Sequence, residues 1–267
     1  MNDDWADDMA EQNADRRPPS RRIADTLREK IEGGEFAAGD RLPSERELAA
    51  TYQTARNTAR EALSILQTEG LAMAQHGKGV FVRDRKPLMR LGSDRYSKRA
   101  RDESGLSPFR IEVMKQGRVP GTECRSVTQV APPADVAERL DLDPARDTVV
   151  RRENWYFADG EPVQVGVTYI PVAVARDSAL ATEKTLGRGS IYARFEELGH
   201  AVTRSREEIS SRMPTPEEAS GLLMPPGVPV LVVLHTSFDQ NLKAFEVTRF
   251  VMRADLTGLD YRIPVED

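Results

Sequence analysis

The sequence predicts an α+β chain of two domains, a small N-terminal helical domain closed by a hairpin and a larger C-terminal domain built on an antiparallel sheet. Three observations predict it. Apolar residues recur with a helical period from Ser20 to Glu69 and give way to two short apolar runs around a glycine-rich tip. From Pro108 the pattern changes to short strands joined by tight turns with few helices between them, which argues for antiparallel pairing. Charge also changes sign along the chain: residues 1–15 carry six acids and no bases, residues 16–101 carry 19 Lys and Arg against 11 Asp and Glu, and residues 102–267 carry 19 against 26. The net charge of −5 thus conceals a basic segment between two acidic ones, and only that segment suits a polyanion.

Length and composition set the outer bounds. At 267 residues and 39% apolar, the chain can furnish two ordinary cores. No apolar run approaches the roughly 20 residues that a membrane helix needs, and the N-terminus is acidic where a secretory signal would be basic, so a cytoplasmic protein is expected. The single cysteine, Cys124, excludes an internal disulfide and reads as a small half-buried residue. His76, His200 and His235 fall in a turn, a helix end and a strand, without metal-ligand spacing. No nucleophile motif or phosphate-cradling glycine loop is present, so no catalytic residue, metal or cofactor is expected.

Residues 1–19 have no apolar period and read as a disordered leader. Ile23, Leu27 and Ile31, with Ala24 beside them, give the first helix, stopped by Gly33 and Gly34. Ser44-Glu45-Arg46-Glu47 is a capping box that opens a second helix, with Leu48, Ala49 and Tyr52 on its core side. A third helix from near Thr54 to Glu69 buries Ala59, Ala62 and Leu66, with Leu63 flanking, and Gly70 ends it. Two short helices at a tight turn, the second opening on Arg56, Asn57, Thr58 and Arg60, are what a helix-turn-helix requires. The runs 71–74 and 80–82 around Gln75-His76-Gly77-Lys78-Gly79 then read as a wing, whose glycines permit close approach to DNA and whose Lys78 can neutralise a phosphate.

LPSERELA, RNTAREAL and GKGVFV, in this order and spacing, resemble the winged helix-turn-helix of the GntR family of bacterial transcription regulators over residues 20–83. By position, the resemblance implies DNA contacts at Ser44, Arg46, Arg56, Asn57, Thr58, Arg60, His76, Gly77, Lys78 and Gly79. Arg56 and Arg60 suit guanine, whose O6 and N7 a guanidinium can bond together, while Ser44, Thr58 and Lys78 suit the backbone. Where the family has Gly-Val-Ser in the turn, this chain has Gln53-Thr54-Ala55. Either Gln53 takes the left-handed conformation that Gly would take freely, at some strain, or the turn is reshaped.

Residues 84–106, polar and basic, read as a linker with room for local order around Leu88 and Leu91, either a solvated hinge or one whose Arg and Lys add phosphate contacts. Strands are expected at 109–114, 123–130, 148–157, 162–170, 203–211, 230–238 and 245–253, with helices at 133–140, 190–198 and 215–223, and 257–267 as a tail. VRRENWYFADGEPV, TYIP, SIYARFEELGH, PEEA, GVPVL and FEVT are similar to the effector-binding (UTRA) domain of the HutC subfamily, which shares the chorismate lyase fold, over residues 107–256.

Strand alternation constrains this second domain independently. Val150, Arg152, Asn154 and Tyr156 share one face, and Val149, Arg151, Glu153, Trp155 and Phe157 the other. The resemblance implies ligand contacts at Arg152, Ser190, Tyr192 and Glu246. Asn154 and Tyr156 stand where relatives often carry further arginines, which weakens the case for a doubly charged phosphate; Tyr169 is either core or ligand wall. Structural roles compete: Ser190 can cap its helix, Glu246 can pair with Arg249 or Arg253, and Arg152 can serve an internal ion pair.

The implied function is a sequence-specific transcription regulator, a homodimer on a pseudo-palindromic operator, acting as a repressor released by a small polar effector, neutral or anionic. A constitutive DNA-binding protein whose second domain only dimerises is the alternative, and a lyase-like enzyme fused to a DNA-binding domain a remote third.

Overall fold

The computed structural model describes residues 17–75, 77–83, 87–92, 95 and 97–262. The chain divides into two compact units, residues 1–86 with 225–228, and residues 87–224 with 229–267. Most of the expected leader, and His76, lie outside the described residues.

In the first unit, α1 (Pro19–Glu32), α2 (Glu45–Thr51) and α3 (Arg56–Thr68) precede the hairpin of β1 (Ala72–Gln75) and β2 (Gly79–Val82). The periodic residues Ile23, Ala24, Leu27, Leu48, Ala59, Ala62 and Leu66 are the core. Tyr52, expected on the core side, is instead exposed because the chain leaves the helix at that residue. The capping box forms, with the Glu47 amide donating to Ser44 Oγ at 3.3 Å and the Ser44 amide donating to Glu47 Oε2 at 2.7 Å. Arg28 ties α1 to the end of α3 through Glu69, at 2.7 Å.

Gln53 has φ +48°, the left-handed conformation, the first of the two alternatives. The surrounding bonds explain why the position demands it. Thr54 N–H reaches Ala49 O at 3.0 Å and Gln53 N–H points to Ala50 O at 3.4 Å, the paired bonds of a Schellman motif closing α2.

The second unit is a six-stranded antiparallel sheet, in the order β4 (Pro120–Val130), β5 (Val149–Ala158), β6 (Glu161–Pro171), β9 (Ala244–Arg253), β8 (Val230–Phe238) and β7 (Arg204–Arg212). On one face, α6 (Ala134–Leu140) packs through Val136 and Leu140 on Val149, Tyr169 and Val247, and Leu222 packs on Trp155 and Val251 after α10 (Pro216–Gly221). On the other face lie α9 (Ser190–Glu197), packed through Tyr192 and Phe195 on Val150 and Phe245, and the short helices α7 (Val172–Ala175) and α8 (Ala179–Thr182).

Three expectations fail here. Residues 109–114 are not a strand but part of α5 (Pro108–Lys115), opened by the Ser107 cap and a proline in the first turn, with Phe109, Glu112 and Val113 buried at helical spacing. The segment 84–106 is not simply a linker, and 257–267 not simply a tail. Residues Leu88–Leu91 form β3, which pairs in parallel with β10 (Thr257–Asp260), and Lys98–Ser104 form α4. Three arginines of this segment face inward to carboxylates: Arg90 pairs with Glu207, Arg95 with Glu112 and Arg101 with Glu196. All three arginines are buried. A buried cation is costly without compensating partners, and this pairing with carboxylates, not phosphate contact, accounts for those three arginines.

Candidate nucleic-acid interface and ligand cavity

In the first unit, α2 and α3 meet the wing around one groove lined by Ser44, Arg46, Arg56, Arg60 and Gly79, five of the ten residues expected at DNA, together with Arg41. Asn57 is exposed and Thr58 half-buried on the same helix, while Gly77 and Lys78 are exposed at the wing tip. Ser44 Oγ accepts from the Glu47 amide, which leaves its own proton free to donate. Ala55 supplies no side-chain cap, so α3 presents an open N-terminus with its positive dipole end.

The two arginines of α3 differ. Arg60 is held fork-to-fork by Glu45, Nε to Oε1 at 2.8 Å and Nη2 to Oε2 at 3.0 Å, and the hydrogen bond from Arg60 keeps the Glu45 carboxyl below the usual range. Arg56 is exposed, with no ion pair among the described residues. Arg41, absent from the expected contacts, joins the wing through an isolated bridge to Phe81. Its guanidinium would lie 2.9 Å from a Cβ at Gly79, whose φ is +123°. A side chain at residue 79 would displace that cation. The signal for Arg41 in the sequence is a single basic residue before Leu42-Pro43, too common to single out.

In the second unit, a cavity of about 80 Å³ lies on the α9 face of the sheet. Its walls include Arg152, Asn154 and Tyr156 of β5, Ser190 and Tyr192 of α9, and Glu246 of β9, six of the seven residues expected at a ligand. Thr168, Thr248 and Phe250 complete the floor. Arg152, Asn154 and Ser190 also line an adjoining outer chamber with Arg110, Lys184 and Cys124. Tyr169 is the exception: it stands opposite Arg151 on the other face and is buried against Val136 and Leu140. Gly166, opposite Asn154, is needed where it is, since a Cβ there would lie 3.0 Å from both Phe250 and Tyr156.

The competing structural roles resolve one by one. Arg152, 1% exposed, forms no ion pair among the described residues. Its Nη1 donates to Leu180 O at 2.7 Å and its Nη2 to Glu183 O at 2.7 Å, so it clamps the segment leading toward α9; Nε has no hydrogen-bond partner among the described residues. Burial holds its pKa below the usual arginine value. Ser190 does not cap α9; Gly189 is the cap residue, and Ser190 itself sits at φ +60° at the cavity wall, a strained conformation for a non-glycine. Glu246 pairs with neither arginine: Arg249 bonds Asp135, and Arg253 bonds Glu161 and Asp255. Its Oε1 accepts from Ser237 Oγ at 2.7 Å and its Oε2 from Thr248 Oγ1 at 2.8 Å. Burial pushes the Tyr156 hydroxyl up to about 12, so it stays protonated. Burial likewise raises the Cys124 thiol.

Among the described residues no helix is long and apolar enough to cross a membrane, and no group of three or more His, Cys, Asp or Glu could hold a metal ion.

Residues 19–82 match the family model of the bacterial regulatory proteins, gntR family, and residues 115–257 match that of the UTRA domain. An HTH-type transcriptional regulator of Rhizobium meliloti is 30% identical over 240 residues, covering 90% of this chain and 92% of its own. The HTH-type transcriptional repressor NagR of Bacillus subtilis is 29% identical over 235 residues, covering 87% and 89%. Among solved structures, a GntR-family transcriptional regulator superposes with a TM-score of 0.62 at 28% identity, covering 94% of this chain and 99% of its own. PhnF from Mycobacterium smegmatis, at 23% identity and a TM-score of 0.57, shares the fold.

Proposed function

The chain belongs to the GntR family of bacterial regulatory proteins, HutC subfamily, as a helix-turn-helix transcription regulator with a UTRA domain, and we propose that it is a repressor released by a small polar effector. The family is one of regulators and not of enzymes, which answers the lyase alternative. The observation that carries the DNA-binding reading is the convergence of Arg41, Ser44, Arg46, Arg56 and Arg60 on one groove beside the wing.

Two copies of α3 would enter successive major grooves of a pseudo-palindromic operator, as a homodimer acting in the cytoplasm. Arg56 is poised to read guanine at once. Arg60 must first leave Glu45, so binding exchanges a carboxylate for a base edge or a phosphate. Ser44, Asn57, Thr58 and the wing tip from His76 to Gly79, joined by Arg41, hold the backbone. Repression is favoured by the likeness to NagR, which is itself named a repressor.

The effector reading rests on the cavity under α9. Arg152 is committed to carbonyls and Arg95 to Glu112, while Asn154, Ser190, Thr168 and Glu246 offer hydroxyl, amide and carboxylate groups. Such a wall suits a hydroxylated, uncharged molecule better than a phosphate. Release requires that the molecule bind the DNA-competent and the released arrangements with different affinity.

Footprinting of the region upstream of the protein's own gene tests the first reading; protection of no discrete site would refute it. A thermal-shift series with neutral sugars and polyols against inorganic phosphate tests the second, because a pocket ligand raises stability by mass action. Stabilisation by phosphate alone would overturn the uncharged assignment.

A further inference from the structure

One register row crosses the sheet from the cavity to its far edge: Arg152 on β5, Thr168 on β6, Thr248 on β9, His235 on β8 and Glu207 on β7. Every member is polar; four are buried, and the Glu207 side chain is only 8% exposed. A buried polar row is costly unless its members find hydrogen-bond partners: Arg152 bonds the carbonyls of Leu180 and Glu183, and from Thr168 to Glu207 the members are linked directly or through Glu246 and Ser237. Thr168 and Thr248 hydroxyls lie 2.8 Å apart, and Thr248 donates to Glu246. Ser237 donates its single proton to the same carboxylate, so its oxygen accepts from His235 Nε2 at 3.0 Å. His235 Nδ1 faces Glu207 Oε1 at 3.1 Å. Glu207 in turn accepts from Arg90 on β3 and from the hydroxyl of Tyr261, next to β10.

The chain of bonds therefore has two ends. One is Glu246, on the cavity wall, each of whose oxygens holds one protein hydroxyl. The other is the β3–β10 ribbon, whose first strand is the first element of the second unit in sequence after the wing. A second contact runs in parallel, since the Arg90 guanidinium lies 4.7 Å over the Phe250 ring, and that ring lines the cavity.

We propose that this buried chain, from Glu246 through Ser237, His235 and Glu207 to Arg90 and Tyr261, is the route by which occupation of the cavity loosens the β3–β10 ribbon. A ligand hydroxyl that donates to Glu246 competes with Ser237 and Thr248. Once Ser237 is released its oxygen no longer lines up with His235, and the imidazole loses the bond that aims its other nitrogen at Glu207. Glu207 then holds Arg90 and Tyr261 less firmly. The proposal rests on the reading of the cavity as the effector site, but the coupling itself is a property of the protein without ligand.

Hydrogen exchange on the full-length protein, free of ligand, tests it. Ser237→Ala removes one middle bond with little change in volume, and Glu246→Gln replaces one acceptor oxygen at the cavity end by a donor. Both are expected to speed exchange in residues 88–91 and 257–260 by about fivefold, the effect of losing one net hydrogen bond on local opening, while β6 stays at the wild-type rate. Ser237→Thr restores the hydroxyl and should restore protection. Thr236→Val, on the same strand at a hydroxyl without a hydrogen-bond partner, is the control and should leave the ribbon unchanged. Wild-type exchange of the ribbon in both Ser237→Ala and Glu246→Gln overturns the route, as does equal loosening by Thr236→Val. If the coupling holds and the thermal-shift series finds no ligand, the effector reading alone has failed.

Discussion

Replacing Arg152 by Met separates the two roles that this residue could have. Met keeps the aliphatic stem and removes the guanidinium, leaving Leu180 O and Glu183 O, each now bonded at 2.7 Å, without donors. A hydrogen bond from a charged donor contributes about 1.5–3 kcal/mol, so the two together represent about 3–6 kcal/mol. Removing a cation that burial already disfavours returns part of this, and about 2–3 kcal/mol of net destabilisation is expected. For a unit of this size that corresponds to a fall of roughly 5–10 °C in melting temperature. Trp155, buried on the opposite face of the same strand, reports the unfolding of this unit by fluorescence. An unchanged melting temperature in Arg152→Met would refute the clamp and return Arg152 to the role of a ligand cation.

The remaining expectations concern both units. Gln53→Gly should stabilise the helix-turn-helix by up to ~1 kcal/mol, the strain of a left-handed residue less the entropy of glycine, read as slower hydrogen exchange across residues 45–66; faster exchange would show that the Gln53 side chain makes a contact of value. Arg56→Ala should cost about 1–3 kcal/mol on the footprinted operator and little on random DNA in fluorescence anisotropy, whereas equal losses would mark a phosphate contact. Glu45→Ala frees Arg60 and should tighten operator binding; weaker binding would show that Glu45 positions Arg60 for DNA. Burial alone would raise the Glu207 carboxyl, but the hydrogen bond from His235 and the charge of Arg90 outweigh it and hold it far below its ordinary 4.5. Its contribution is therefore complete above pH 4.5 and lost as pH falls toward the depressed folded value, so the melting temperature of the wild type should drop more steeply between pH 5 and 3 than that of Glu207→Gln.

The helices of the first unit were legible because their signals are local: the Ser44–Glu47 box, the spacing of Ala59, Ala62 and Leu66, and the glycines that end them lie within a few residues of one another. The left-handed Gln53 was suggested by the resemblance, which has Gly there, and the helix end explains why: it sets the conformation of the residue after it. Alternation along β5 separated Arg152, Asn154 and Tyr156 from Trp155 without reference to any partner strand. Tyr169 was not legible in this way. Its side depends on the register of β6 against β5, where it falls opposite Arg151.

What the sequence determined by itself was thus the fold class, the elements with local periods, and the residue types available to a DNA groove and a polar cavity. What only the tertiary structure decided was the partner of each charge and the pairing of distant strands. Residues 84–106 look like a basic linker until Arg90 meets Glu207, 117 residues away, and β3 meets β10 near the C-terminus. Arg60 looks like a free reader of DNA until Glu45 closes on it, and Arg152 looks like a ligand cation until the carbonyls of the 180–183 segment surround it. Period and capping act over one turn or one pleat and are written in order along the chain. A buried charge is stabilised by whatever the fold brings within about 3 Å, and that depends on the whole topology.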